Sequence, residues 1–302
     1  MPQLSANGIT LEYESFGSAS HPPLLLIMGL GAQLTRWPLP FCDKLVARGF
    51  RVIRFDNRDI GLSTKLDGAP VPELATVIAA RMTGLPVHVP YTLHDMAADA
   101  VGLLDGLKID AAHIVGASMG GMIAQLVAAD YPQRVLSLTS IMSTTGNPAL
   151  PPPTPAASAV LMSRSPNPSD LEAYVKHGLN TLRVLASPAV PFDEAAARER
   201  LITDVKRSYN PPGFGRQIAA VTATGDRRER IRRIKAPTVV VHGADDPLVP
   251  LAGGRDTAEN IPNAELRVIP GMGHDIPPQF YDQIVDAIES AARRAGAKNA
   301  VA

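Results

Sequence analysis

The chain has 302 residues, 45% of them hydrophobic and 19% charged, a balance that excludes a disordered or fibrous protein. Its 29 basic and 29 acidic residues cancel, so no overall charge draws it to phosphate backbones or anionic lipid, and no nucleic-acid partner is expected. A single cysteine, Cys42, excludes an intramolecular disulfide and a cysteine-rich zinc site.

The first residues, "MPQLSANGIT", lack the basic stretch and apolar core of a secretory signal. Apolar runs such as "PPLLLIMGLGA" fall well short of the ~20 residues a membrane span needs. A cytoplasmic enzyme with no membrane span is the expectation. Strands are predicted at 9–16, 23–28, 51–56, 111–116 and 135–142, then at 237–243 and 264–270, each a short run rich in branched residues. Helices are predicted at about 39–49, 94–107, 119–130 and 277–295. Cys42 falls in the first of these, where a small buried apolar role suits it. The alternation of strand and helix is the mark of an α/β fold with a mostly parallel sheet.

Residues 146–234 break the alternation. They open with "GNPALPPPTP", whose missing amide donors argue against a central strand. Helical pieces follow in "SDLEAYVKHGLNTLRVL", "FDEAAARERLITDVKRSY" and "GFGRQIAAVTAT". The stretch reads as a helical cap inserted into one core formed by 1–145 and 235–302. "DRRERIRRIK" at 226–235 reads as a solvated helix face.

The most informative stretch is "AHIVGASMGGMIAQLVAADYP", residues 112–132. Gly116-Ala117-Ser118-Met119-Gly120 follows a strand and opens a helix, the context in which G-x-S-x-G presents a serine hydroxyl on a sharp turn. A serine is a weak nucleophile until a base takes its proton, and that base must itself be oriented. His274, in "RVIPGMGHDIP", lies on a glycine-rich loop just after the last strand, whereas His242, His113 and His94 fall within strands or at a helix start. "VHGADDPLVP" offers Asp245 and Asp246 as the orienting carboxylate. Ligands bind at the carboxyl ends of strands in open α/β sheets, and Ser118, Asp246 and His274 each follow a separate strand on that rim. The loop "MGLGAQ" reaches the same rim, where its backbone and the Met119 amide can hold a developing oxyanion. In "FDNRDIGLS", Arg58 and a neighbouring acid are expected to brace a turn.

Five segments, "LLLIMGLGAQLTRWP", "RVIRFDNRDIGLST", "IVGASMGGMIAQ", "VVHGADDPLVP" and "IPGMGHDIP", resemble the α/β-hydrolase family over nearly the whole chain. The first two are similar to a branch of carboxylesterases that includes the aclacinomycin methylesterases. The resemblance implies an α/β-hydrolase fold, a mostly parallel twisted sheet flanked by helices with a helical cap after the sixth strand. It implies Ser118 as nucleophile, His274 as general base and Asp246 as third member, with the Leu30 and Met119 amides as oxyanion donors. The chain departs from many relatives in having Met28-Gly29 where they have His-Gly, and Arg58-Asp59 where they have Arg-Gly.

The reaction expected is hydrolysis of a carboxylic ester through an acyl-enzyme, without cofactor or metal. The same triad also supports lactone hydrolysis, C–C bond hydrolysis and perhydrolysis, and a non-turnover small-molecule receptor can share the fold. Leu161, Met162, Tyr174, Phe192 and Phe214 are candidate walls for a hydrophobic small-molecule substrate, and packing within the cap explains them equally well. An oligomer is compatible with the sequence.

Overall fold

A computed structural model describes residues 2–299. The chain opens with β1 (Gln3–Ala6), β2 (Ile9–Phe16) and β3 (Pro23–Ile27), then α1 (Leu39–Ala47), β4 (Arg51–Phe55), α2 (Leu74–Thr83) and α3 (Leu93–Gly106). It continues through β5 (Ala112–Ala117), α4 (Met119–Asp130) and β6 (Val135–Ile141). Between β6 and the next strand lie α5 (Pro155–Met162), α6 (Leu171–Leu185), α7 (Glu194–Arg207), α8 (Pro211–Thr224) and the single turn α9 (Arg228–Ile231). The chain then returns through β7 (Thr238–Gly243), α10 (Leu251–Asn260), β8 (Glu265–Ile269) and α11 (Tyr281–Asn299).

The eight strands form one sheet in the order β1-β2-β4-β3-β5-β6-β7-β8. β1, β2 and β4 pair antiparallel; every pairing from β4 across to β8 is parallel. All seven predicted strands are present, and β1 adds an edge strand that the sequence did not announce. It is four residues long with mixed burial, too short for an alternating pattern to be read.

The central strands are covered on both faces, which is why they read as unbroken apolar runs. Along β3 the pleat sends Leu25 and Ile27 to the face covered by α3 and α4, and Leu24 and Leu26 to the face covered by α1 and α11. Each of these four side chains is fully buried, a stabilisation of about 1.5–3 kcal/mol apiece. Cys42 sits in the second of these cores, and burial pushes its thiol up to about 11.

The insertion between β6 and β7 has a small core of its own, built from Val175, Leu179, Ala197 and Leu201 on α6 and α7. Its two ends are stapled together by Arg227. That residue gives its backbone amide to the Thr145 carbonyl and its guanidinium to the carbonyls of Thr144 and Gly225. Arg227 therefore corrects the reading of 226–235 as a wholly solvated face. It is 2% exposed, its guanidinium facing two carbonyls at the neck of the insertion, and burial lowers its pKa to about 10.

Candidate active site

Ser118 sits at the junction of β5 and α4 with φ 55° and ψ −122°, a left-handed conformation unfavourable for a residue bearing a Cβ. The glycines around it answer a steric demand. A Cβ on Gly116 would lie 2.1 Å from the Gly120 carbonyl oxygen, and one on Gly120 would lie 2.0 Å from the Ile27 carbonyl oxygen. The start of α4 is thus pressed against the ends of β5 and β3, leaving room only for hydrogen. The turn is held by the Ser118 amide, which donates to the Ile141 carbonyl at 2.9 Å, and by the Ser118 carbonyl, which accepts from Ser143 Oγ at 2.9 Å.

Strand ends β7 and β8 bring the partners. His274 Nε2 lies 3.0 Å from Ser118 Oγ, and His274 Nδ1 lies 2.7 Å from Asp246 Oδ2. The two partner side chains are 8% and 0% exposed, so this chain of contacts is largely shielded from water. Asp246 Oδ1 accepts the Leu248 and Val249 amides at 2.9 and 2.8 Å, which fixes the carboxylate plane. An ionised carboxylate only accepts, so the imidazole proton belongs on Nδ1, and the Nε2 lone pair faces the serine hydroxyl.

Asp245 is placed differently. It is exposed and accepts the Gly271 amide at 2.8 Å, bracing the turn after β8. Three further histidines have other hydrogen-bond partners, although His242 Nε2 also lies 3.7 Å from Asp246 Oδ2. His113 pairs with Ser137 Oγ at 2.8 Å, and burial lowers its pKa to about 4. His94 contacts Asp130, and His242 bonds the Val249 carbonyl at 2.8 Å, with burial lowering its pKa as well.

The loop after β3 lies beside the serine: a Cβ on Gly29 would stand 3.1 Å from Ser118 Cβ and 3.6 Å from its Oγ. Neither the Leu30 amide nor the Met119 amide donates to an acceptor among the described residues. Met119 opens α4, so its amide lies at the positive end of the helix dipole. The loop after β4 holds this segment in place. Asn57 Nδ2 donates to the Met28 carbonyl at 2.9 Å, and Asp56 Oδ1 accepts the Leu34 amide at 2.7 Å.

Arg58 and Asp59 are paired outward from that loop rather than with each other. Arg58 makes a two-pronged contact with Asp99 on α3, and Asp59 makes one with Arg216 on α8. Of the candidate wall residues, Phe214 abuts the Gly31 backbone. Tyr174 and Phe192 pack against the insertion's own small core, Leu161 is half-buried on α5, and Met162 is 61% exposed. Gln217, Ser187 and Asn57, none of them among the residues expected at the site, bond to the segments carrying Gly31, Gly273 and Met28. No local pattern flags them, because each partner is distant in sequence.

The sequence pattern of the alpha/beta hydrolase fold family matches residues 22–279. The chain belongs to that family. It is 31% identical over 307 residues to rhodomycin D methylesterase DnrP of Streptomyces peucetius, covering 95% of this chain and 96% of that protein. It is 29% identical over 311 residues to rhodomycin D methylesterase DauP of Streptomyces sp. (strain C5), covering 97% and 98%. Among solved structures, the meta-cleavage product hydrolase CumD of Pseudomonas fluorescens IP01 superposes with a TM-score of 0.72 at 21% identity, covering 96% of this chain and 98% of that one. That likeness establishes the fold. For this α/β hydrolase, no helix among the described residues is long and apolar enough to cross a membrane.

Proposed function

We propose that this α/β hydrolase is a serine esterase that cleaves carboxylic esters through an acyl-enzyme. The observation that carries the reading is the continuous chain from Ser118 Oγ to His274 at 3.0 Å and on to Asp246 at 2.7 Å. Both distances are hydrogen-bond distances, as proton transfer from nucleophile to base and orientation of that base by the acid require. The likeness to methylesterases over nearly the full chain supports an ester as the bond attacked.

In this reading Ser118 attacks the ester carbonyl as His274 Nε2 takes its proton. Asp246, held by two amides, fixes the imidazole and stabilises the imidazolium. The Leu30 and Met119 amides receive the oxyanion. His274 then protonates the departing alcohol and later activates the water that releases the acid. Every step uses side chains and amides of the chain itself. Residues 146–234 serve as a cap over the core of 1–145 and 235–302, and the substrate is a hydrophobic small molecule. A cytoplasmic location belongs to the same proposal, and the buried free thiol of Cys42 suits a reducing compartment.

The test is covalent labelling with a fluorophosphonate probe together with turnover of a p-nitrophenyl ester series. Ser118→Ala is expected to abolish both, and undiminished labelling would refute the assignment. Asp246→Asn is expected to lower kcat by roughly 10⁴-fold, as loss of the orienting carboxylate does in other triads. Asp245→Asn removes only the bond to the Gly271 amide and is expected to stay within a few fold of the parent. Equal losses would undo the choice between the two acids.

A further inference from the structure

Helix α8 reaches out of the insertion and touches both the loop beside the serine and the loop after β4 that holds it. Gln217, fully buried on α8, accepts the Gly31 amide through Oε1 at 2.9 Å and donates from Nε2 to the Arg58 carbonyl at 2.9 Å. The orientation of its amide group is dictated by its partners, since Gly31 offers only a donor and Arg58 only an acceptor. One turn earlier, Phe214 covers Gly31 from the side. A Cβ on Gly31 would lie 2.6 Å from Phe214 Cδ2, and Gly31 holds φ at +67°. The same helix is moored to the loop after β4 by the Arg216–Asp59 ion pair and by Asn210, which donates to the Asp59 carbonyl.

The peptide carrying the Leu30 N–H lies between Gly29 and Leu30. The peptide before it is pinned at the Met28 carbonyl by Asn57, and the peptide after it is pinned at the Gly31 amide by Gln217. The intervening peptide is itself held at its carbonyl, which accepts the Ala32 amide at 3.3 Å, so the three bonds together set the direction of the Leu30 N–H. Asn57 comes from the core, whereas Gln217 comes from the insertion, 186 residues away.

We infer that Gln217 is a positioning residue for ester hydrolysis: through Gly31 it aims the Leu30 amide at the oxyanion, which makes the insertion a structural part of the reaction centre. This rests on the proposed esterase reading, and on Leu30 as a donor within it. Loss of Gln217 leaves the serine, histidine and aspartate untouched and frees one end of the donor loop. Its effect therefore falls on the transition state rather than on substrate binding.

The experiment compares the parent with Gln217→Met, which keeps the volume and loses both bonds, and Gln217→Asn, which keeps an amide too short to span both loops. Arg216→Met loosens the same helix without touching Gly31. Each is measured for kcat and KM on p-nitrophenyl butyrate, for inhibition by a trifluoromethyl ketone that forms a tetrahedral adduct, and for Tm. Gln217→Met is expected to lower kcat about 10- to 100-fold, the scale set by misplacing or removing one oxyanion donor, with KM within about twofold. Affinity for the ketone should fall by the same factor as kcat/KM, and Gln217→Asn should lie between Met and parent. Arg216→Met should lower Tm without separating kcat from KM.

A kcat for Gln217→Met within twofold of the parent overturns the inference. So does a matching kcat loss at unchanged KM in Arg216→Met, assayed at a temperature where both variants are fully folded. If Gln217→Met fails to fold, Gln217→Asn decides by the same criteria. Turnover persisting in Ser118→Ala would instead bring down the esterase reading, and the inference with it.

Discussion

The backbone amide of His274 donates to the Leu185 carbonyl, at the end of α6, over 2.8 Å. The loop that presents the imidazole is therefore held from the insertion as well as from the sheet. Ser187 strengthens the hold: its hydroxyl accepts the Gly273 amide at 2.9 Å and donates to Asp275 Oδ1, which also accepts the Ser187 amide.

Ser187→Ala removes the acceptor for the Gly273 amide and one donor to Asp275 in a largely buried setting. The expected cost is about 1–3 kcal/mol of stability, read as a shift in urea midpoint at unchanged m. Because His274 is next in the chain, kcat should fall several-fold with KM nearly constant. A variant of parental stability and rate would show that the Leu185 contact holds the loop alone.

His113 gives a pH dependence that has nothing to do with catalysis. Its pKa is about 4 in the folded chain against about 6.5 when unfolded, because burial between β5 and β6 disfavours the charged ring. The unfolded state takes up the proton first as pH falls. The stability tied to neutral His113 is complete above about 6.5 and is lost as the pH drops toward 4, by an amount on the order of 3 kcal/mol. His113→Asn should flatten this slope. Unfolding free energies measured at pH 7.5 and 4.5 check it, and equal slopes in parent and variant would contradict the assignment.

Asp59 and Arg216 form an ion pair whose side chains are 0% and 3% exposed. Breaking one side of such a pair strands a buried charge, at a cost of about 3–5 kcal/mol. Asp59→Asn and Arg216→Met should each show this loss in denaturant melts. The double variant should be more stable than the sum of the two predicts, since no charge is then left alone. Strict additivity would mean that water reaches the pair.

The rim of the sheet was readable in advance because its signals are local. Ser118, Asp246 and His274 each follow an apolar strand by a few residues, and parallel topology carries such positions to one edge. α10 escaped notice because it contains Gly253 and Gly254, poor helix formers. Gly254 is needed there: a Cβ on it would lie 2.4 Å from the His242 ring. Arg227 misled because it stands in a run of charges that elsewhere faces water. Gln217 and Ser187 carry no local mark at all. Their partners are 186 and 86 residues away, and only the folded chain pairs them.

The Arg227 staple has an evolutionary corollary. Thr144, Thr145 and Gly225 are already drawn together at the neck, so the entropy of closing the intervening loop grows only slowly with its length. A transplanted excursion of different size would leave the sheet intact, yet it would arrive without counterparts for Gly31 and His274. Divergence of this lineage toward new substrates by exchange of that excursion would thus conserve foldability while repeatedly forfeiting turnover, until replacement moorings arose.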